Sequence, residues 1–200
     1  MFLLKEFFMC RKNTDVYKRC PSFENESFLL RLVELSDCND LLAVYSDKKA
    51  VPFFNSDNCG GDDFYYTTAE RMTEAIKYWL WEYGRKGFVR WTIVDKSTNQ
   101  AIGTIELFRR MADDYFTNCG LLRLDLRSDY EKADIIKNIL SIITPPTFTL
   151  FSCDKIATKA VEGAKERRKA LANCGFSMSG EKLIGHDGTL YSDYFVISVN

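Results

Sequence analysis

The sequence predicts a mixed α/β fold in a single domain. Three stretches carry that prediction. Residues 88–95 and 101–108 flank the turn Lys96-Ser97-Thr98-Asn99-Gln100 and read as a β-hairpin. Met72, Ile76, Trp79, Leu80 and Tyr83 recur at helical spacing. Residues 120–134 read as a strand running straight into a helix, a junction where many α/β proteins hold a phosphate. A chain of 200 residues can bury one substantial core.

The elements follow in order. Residues 1–22 are expected to form an N-terminal extension and residues 23–200 the domain. The start, Met1 to Cys10, is apolar but holds Lys5 and Glu6 and lacks a small-residue cleavage pattern, which argues against a signal peptide. Phe28-Leu29-Leu30-Arg31-Leu32-Val33 is strand-like. Ser36-Asp37 offers an N-cap to a short helix whose apolar side is Leu41, Leu42, Val44 and Tyr45. Residues 47–54 read as irregular and 55–63 as a polar loop. Thr67-Thr68-Ala69-Glu70 has capping-box spacing, and Gly84 suits the left-handed end of that helix.

In the hairpin, Ile102, Thr104 and Glu106 share one face and Gly103, Ile105 and Leu107 the other. Leu122, Leu124 and Leu126 alternate with Arg123, Asp125 and Arg127. A helix over 129–143 turns Ile136, Ile139, Leu140 and Ile143 inward and stops at Thr144-Pro145-Pro146. A strand within 151–160, a helix over 162–174 closed by Gly175, and strands over 176–182 and 190–199 complete the chain.

Composition removes several functions. A net charge of -1 speaks against nucleic acid as a partner. No apolar run approaches a membrane span, so no membrane partner is expected. The seven cysteines include no CxxC pair, and one histidine, His186, cannot complete a Cys/His zinc set; no metal site is expected. Reduced thiols in a cytoplasmic protein are the reading. A single histidine also disfavours Cys-His or Ser-His catalysis.

The element order and local sequence resemble the GNAT superfamily of acyl-CoA N-acyltransferases, particularly the branch that acetylates ribosomal-protein N-termini. The residues that carry this are the hairpin Trp91 to Ile105, the opening strand Phe28-Leu29-Leu30-Arg31, and Leu171-Ala172-Asn173-Cys174-Gly175-Phe176 at a helix end. The resemblance implies a central, mixed, mostly antiparallel sheet flanked by helices. It implies acetyl-CoA as cosubstrate, lying between the fourth and fifth strands, and an amine-bearing acceptor, either a small molecule or a protein N-terminus. A homodimer is compatible with it.

By the same resemblance the cofactor would meet Leu126, Arg127, Lys132, Ala133, Asp134 and Ile135, with Ala164 and Arg167 on the later helix. This chain departs from the pattern there. Aligned on Tyr130, Lys132 and Asp134 stand at the two glycine positions of the phosphate loop, and Ala164 and Arg167 stand where asparagine and serine are usual. Ser128 and Glu131 have capping-box spacing, so side chains can take the donors a pyrophosphate would use. Asp129, Glu131 and Asp134 add carboxylates around the helix start; each facing a phosphate charge at roughly 5 Å costs on the order of 3 kcal/mol at an effective dielectric of about 20.

Amine acetylation needs a base, donors for the thioester carbonyl and an acid for the thiolate. Glu106 is the first candidate base and Asp125 the second; the plainer reading of each is an Arg-paired or solvated carboxylate. The family's usual acid is a tyrosine on the later helix, which has none here, so Tyr191 and Tyr194 are the nearest alternatives, with packing as their plainer role. The run Lys165, Arg167, Arg168, Lys169 suits a CoA phosphate or, more simply, a solvated face. Gly185-His186-Asp187-Gly188 is turn-like. The leading function is acyl-CoA-dependent N-acetyltransfer by direct attack of a primary amine; the alternative is a catalytically inactive GNAT-fold binding or regulatory protein that no longer uses acetyl-CoA.

Overall fold

The computed structural model describes residues 15–199, so the start at Met1 to Cys10 lies outside the described residues. An eight-stranded sheet forms the middle of the molecule, in the order β1-β2-β3-β4-β5-β6-β10-β7. Its strands are β1 (Phe23–Glu24), β2 (Phe28–Leu32), β3 (Val89–Asp95), β4 (Gln100–Arg110), β5 (Cys119–Leu126), β6 (Lys155–Lys159), β7 (Ser177–Met178) and β10 (Tyr194–Ser198). A small separate hairpin joins β8 (Leu183–Ile184) to β9 (Leu190–Tyr191). Neighbours run antiparallel except β5 and β6, which are parallel. The expected mixed, mostly antiparallel sheet with flanking helices is what forms.

Helices α1 (Cys38–Tyr45) and α2 (Ala69–Gly84) cover one face; α3 (Ala133–Leu150) and α4 (Lys165–Asn173) cover the other. Alternation along the central strands divides the side chains accordingly. Trp91, Ile105, Leu107, Leu122, Leu124 and Leu126 pack with Ile136, Ile139, Leu140 and Ile143 of α3 and Leu171 of α4. On the opposite face Tyr45, Met72, Ile76 and Trp79 form a second core. Val16 is buried in the first core, and its carbonyl accepts from Tyr83 Oη at 3.0 Å, which ties the segment before β1 to α2.

Several boundaries differ from the sequence reading, each for a local reason. Helix α2 is capped by Thr68, whose Oγ1 accepts from Arg71 N at 3.2 Å, so the box begun by Thr67 does not form. Gly84 stays helical; the left-handed residue is Lys86, with φ of 65°. Asp37 is buried rather than a simple cap: it accepts from Thr92 Oγ1 at 2.7 Å and Glu34 N at 2.9 Å and pairs with Arg31. A bulge on β4 turns Ile102 to the face of Ile105, away from Thr104 and Glu106.

Helix α3 starts at Ala133, four residues later than expected, and runs through Pro145 and Pro146 to Leu150. Two interior prolines forfeit backbone bonds. Burial of Ile143, Thr144 and Thr147 holds the helix regardless, and Thr147 Oγ1 donates to the Ile143 carbonyl at 2.7 Å. Helix α4 is shorter than the predicted 162–174. Between the two expected C-terminal strands, Gly188 N donates to Gly185 O at 3.0 Å, closing the β8–β9 turn predicted around His186.

Candidate functional site

Strands β5 and β6 pair from Cys119↔Lys155 to Leu122↔Thr158 and then part company, while β5 continues to Leu126. Arg127 N donates to Ile102 O at 3.0 Å, so odd residues of β5 turn their amides to β4 and Leu124 faces the side that β6 has left. Arg167 of α4 occupies that place. Its side chain is 2% exposed, and its Nη1 donates to Leu124 O and to Phe53 O, both at 2.8 Å. Its Nε and Nη2 hold Glu131 through two bonds of 2.7 and 2.8 Å. Arg167 is therefore not part of a solvated basic face. Arg168 is also engaged, donating to Ala160 O at 3.0 Å and to Asp193 at 2.7 Å.

The start of α3 is occupied as well. Its first amide, Ala133 N, donates to Glu166 Oε2 at 3.0 Å. The capping box expected from Ser128 and Glu131 is absent: Ser128 N donates to Asp47 Oδ2 at 2.9 Å and Glu131 is held by Arg167. A cleft of about 590 Å³ lies here, lined by Asp129, Glu131 and Glu166 against Lys49 and Lys165. Lys132 and Asp134 are exposed and do not line it, whereas Ala164 does. Leu126 is a core residue, Ile135 packs half-buried against the core, and Arg127 pairs with Asp129 at 2.7 Å.

These residues do not fit CoA. A pyrophosphate at the α3 terminus would have to displace Glu166 from Ala133 N and settle beside the Glu131–Arg167 pair. A pantetheine chain alongside β5 would have to displace Arg167 from Leu124 O.

The predicted acid–base residues lie elsewhere. Arg90, Glu106 and Arg123 stand opposite one another across β3, β4 and β5. Glu106 is 2% exposed, bonded to Arg90 Nη2 and, at 2.7 Å, to Arg123 Nη1. Burial pushes its carboxyl up, but the two guanidiniums outweigh burial and hold it below the usual range. With both oxygens committed it is a weak base. Asp125, fully buried, accepts from Tyr45 Oη at 2.8 Å and Arg90 Nη1 at 3.1 Å; burial pushes its carboxyl up despite Arg90. Arg90 thus brings Glu106 and Asp125 together.

Tyr194 is buried and donates to Asp57 Oδ2 at 2.9 Å; burial and Asp57 raise its hydroxyl. Asp57 also holds Lys159 at 2.7 Å. Tyr191 Oη accepts from Asn58 N at 3.4 Å. These two tyrosines therefore belong to the network of the loop at 55–58, and neither lines the cleft at α3.

Above the charged row opens a chamber of about 690 Å³. Its walls are aromatic: Phe64, Tyr66, Trp79, Phe88 and Phe108. Arg90, Arg123, Cys59 and His186 also line it. The Arg90 guanidinium carbon lies 4.1 Å from the Trp79 ring centroid, and that of Arg123 lies 5.7 Å from Phe108. Sequence reading missed Arg90 and the aromatic wall. The signal lay in the alternation of β3, which puts Arg90 and Thr92 on one face, but it needed the register to be useful. Among the described residues no group of His, Cys, Asp and Glu could hold a metal ion, and no helix is long and apolar enough to cross a membrane.

The splayed parallel pair in a mostly antiparallel sheet defines an acyl-CoA N-acyltransferase fold. The family model for the acetyltransferase (GNAT) domain matches residues 27–177, and the chain belongs to that family. No curated protein sequence matches it. Among solved structures, the ribosomal-protein-S5-alanine acetyltransferase from Vibrio fischeri is 17% identical, with a TM-score of 0.63 over 88% of this chain and 94% of that one. RimL, a ribosomal L7/L12 alpha-N-protein acetyltransferase in complex with coenzyme A, is 12% identical, with a TM-score of 0.66 over 90% and 98%. The microcin C7 self-immunity acetyltransferase MccE, in complex with acetyl-CoA and AMP, is 12% identical, with a TM-score of 0.65 over 88% and 94%. At such identities the likeness is one of fold.

Proposed function

We propose that this chain is a GNAT-fold binding or regulatory protein that no longer uses acetyl-CoA and binds a small ligand in the aromatic chamber. The domain comprises residues 23–200, with residues 1–22 as an extension. Arg167 carries this reading. A buried guanidinium that spends its donors on Leu124 O, Phe53 O and Glu131 is not readily withdrawn. Glu166 is the lesser obstacle, being exposed and contributing a cap of about 1 kcal/mol. Calorimetric titration of the full chain with acetyl-CoA to millimolar concentration is expected to show no binding. A sub-millimolar Kd would overturn the reading.

The family match favours a second reading: acyl-CoA-dependent acetylation of a primary amine, small or a protein N-terminus, by direct attack. On that reading Glu106, Asp125, Tyr191 and Tyr194 are the candidate acid–base groups, the protein is cytoplasmic and Arg167 has to leave the strand gap. The same titration decides between the two.

A further inference from the structure

We propose that the chamber over β3–β5 takes an uncharged, flat aromatic molecule of one or two rings. The inference deepens the binding reading above and rests on it. The charges around the chamber are spent on one another. Arg90 pairs with Glu106 and Asp125, while Arg123 pairs with Glu106 and donates to Asp57 O at 2.7 Å. Arg71 pairs with Asp62 at 2.8 Å, and the two Nη groups of Arg110 hold Asp114 at 2.5 and 2.7 Å. Glu82 faces Arg85 at 3.6 Å.

With every carboxylate counted as ionised, five arginines (71, 85, 90, 110 and 123) answer five carboxylates (62, 82, 106, 114 and 125). Glu74 sits exposed at the rim, where water and salt screen it. The atoms of the network that lack a partner, Arg90 Nε, Arg123 Nε and Asp125 Oδ1, are sealed below the floor and offer nothing to a ligand. An ion entering the chamber gives up its water and then either stays unpaired or breaks a pair already made. An uncharged molecule does neither.

The walls set the shape of the ligand. Trp79 and Tyr66 are buried and already carry guanidiniums, Arg90 at 4.1 Å from one ring centroid and Arg71 at 4.4 Å from the other. Phe88 and Phe108 line the same space but are only half-buried, and Tyr78 is exposed, so these three rings keep surface for a ligand. Tyr78 meets Phe88 edge to face with centroids 6.3 Å apart, and a flat ring laid against either extends that packing. A volume of about 690 Å³ is ample for a two-ring molecule.

The test uses the full chain and three probes of one shape: uncharged indole-3-acetamide, the anion indole-3-acetate and the cation tryptamine, each titrated calorimetrically. The amide is expected to bind at least about fivefold more tightly than either ion. Equal affinities, preference for either ion, or no heat from any probe at millimolar concentration would overturn the proposal. Phe88→Leu and Phe108→Leu locate the binding, since each removes a ring and keeps apolar bulk. They are expected to weaken the amide by about threefold or more, and weakening in one alone names the ring it lies on. Unchanged affinity in both would place the amide outside the chamber and reject the assignment. Acetyl-CoA plays no part in these titrations, so their failure is distinct from failure of the closed-cleft reading.

Discussion

Arg167→Leu isolates the contact that closes the strand gap. The substitution leaves Glu131, whose side chain is 7% exposed, without its counter-charge, and leaves Leu124 O and Phe53 O without a donor. Breaking a buried pair from one side costs about 3–5 kcal/mol. At about 2–4 °C per kcal/mol for a chain of this length, the midpoint of thermal unfolding should fall by roughly 6–20 °C. The double variant Arg167→Leu/Glu131→Leu removes both charges and should cost less than the single one, because no carboxylate is left buried and unpaired. Urea unfolding of the wild type, both singles and the double completes a cycle that measures the coupling. The double variant also empties the gap beside β5 of charge, so it should gain millimolar acetyl-CoA binding that the wild type lacks. A single-variant cost below about 1 kcal/mol, or a double variant as unstable as the sum of the singles, would refute Arg167 as the plug.

Glu106 is held below the usual carboxylate range in the folded chain, so its contribution is present above the unfolded value of about 4.3 and is lost as pH falls through the folded one. Glu106→Gln should cost about 3 kcal/mol at pH 7 and abolish that acid-side loss, read as urea midpoint against pH. Asp125 has the opposite sign: its raised value gives a contribution present below about 3.9 and lost as pH rises through the folded value, so Asp125→Asn should flatten the decline on that side. Gly103→Ala would press a Cβ into the Asp125 carbonyl oxygen and should cost about 1–3 kcal/mol in the same unfolding assay; an unchanged midpoint would show that β4 and β5 are looser than their register implies.

Much of the fold was legible because its signals are local. The alternation of residues 121–127 placed Arg123 and Asp125 on one face, and the helical spacing of Met72, Ile76 and Trp79 placed α2 against the sheet. The site was less legible because its geometry is long-range. Glu106 is sandwiched only once strand register sets it opposite both Arg90 and Arg123, and the bulge at Ile102 adjusts that register in a way no periodicity reveals. Arg167 sits in a run of five charged residues that reads as solvent-facing, yet its partner Glu131 is 36 positions away. Prolines 145 and 146 mark a helix end by local rules, but tertiary packing of Ile143 and Thr147 carries α3 past them.

The two buried arginine sites on this sheet differ in one respect that separates structure from function. Arg167 uses Nε and both Nη groups, on carbonyls and a carboxylate supplied by the chain itself. Nothing remains there for a ligand to satisfy, and what CoA would bring, an anion and a strand-like amide, duplicates groups already in place. Arg90 and Arg123 each keep a buried Nε without a partner, as Asp125 keeps Oδ1, below the chamber floor. A saturated network resists exchange, because a newcomer must replace every bond it breaks. On that ground the proposed closed-cleft reading rests on Arg167, whose bonds to Leu124 O, Phe53 O and Glu131 a CoA chain would have to replace one by one, whereas the chamber over β3–β5 leaves open space between its aromatic walls.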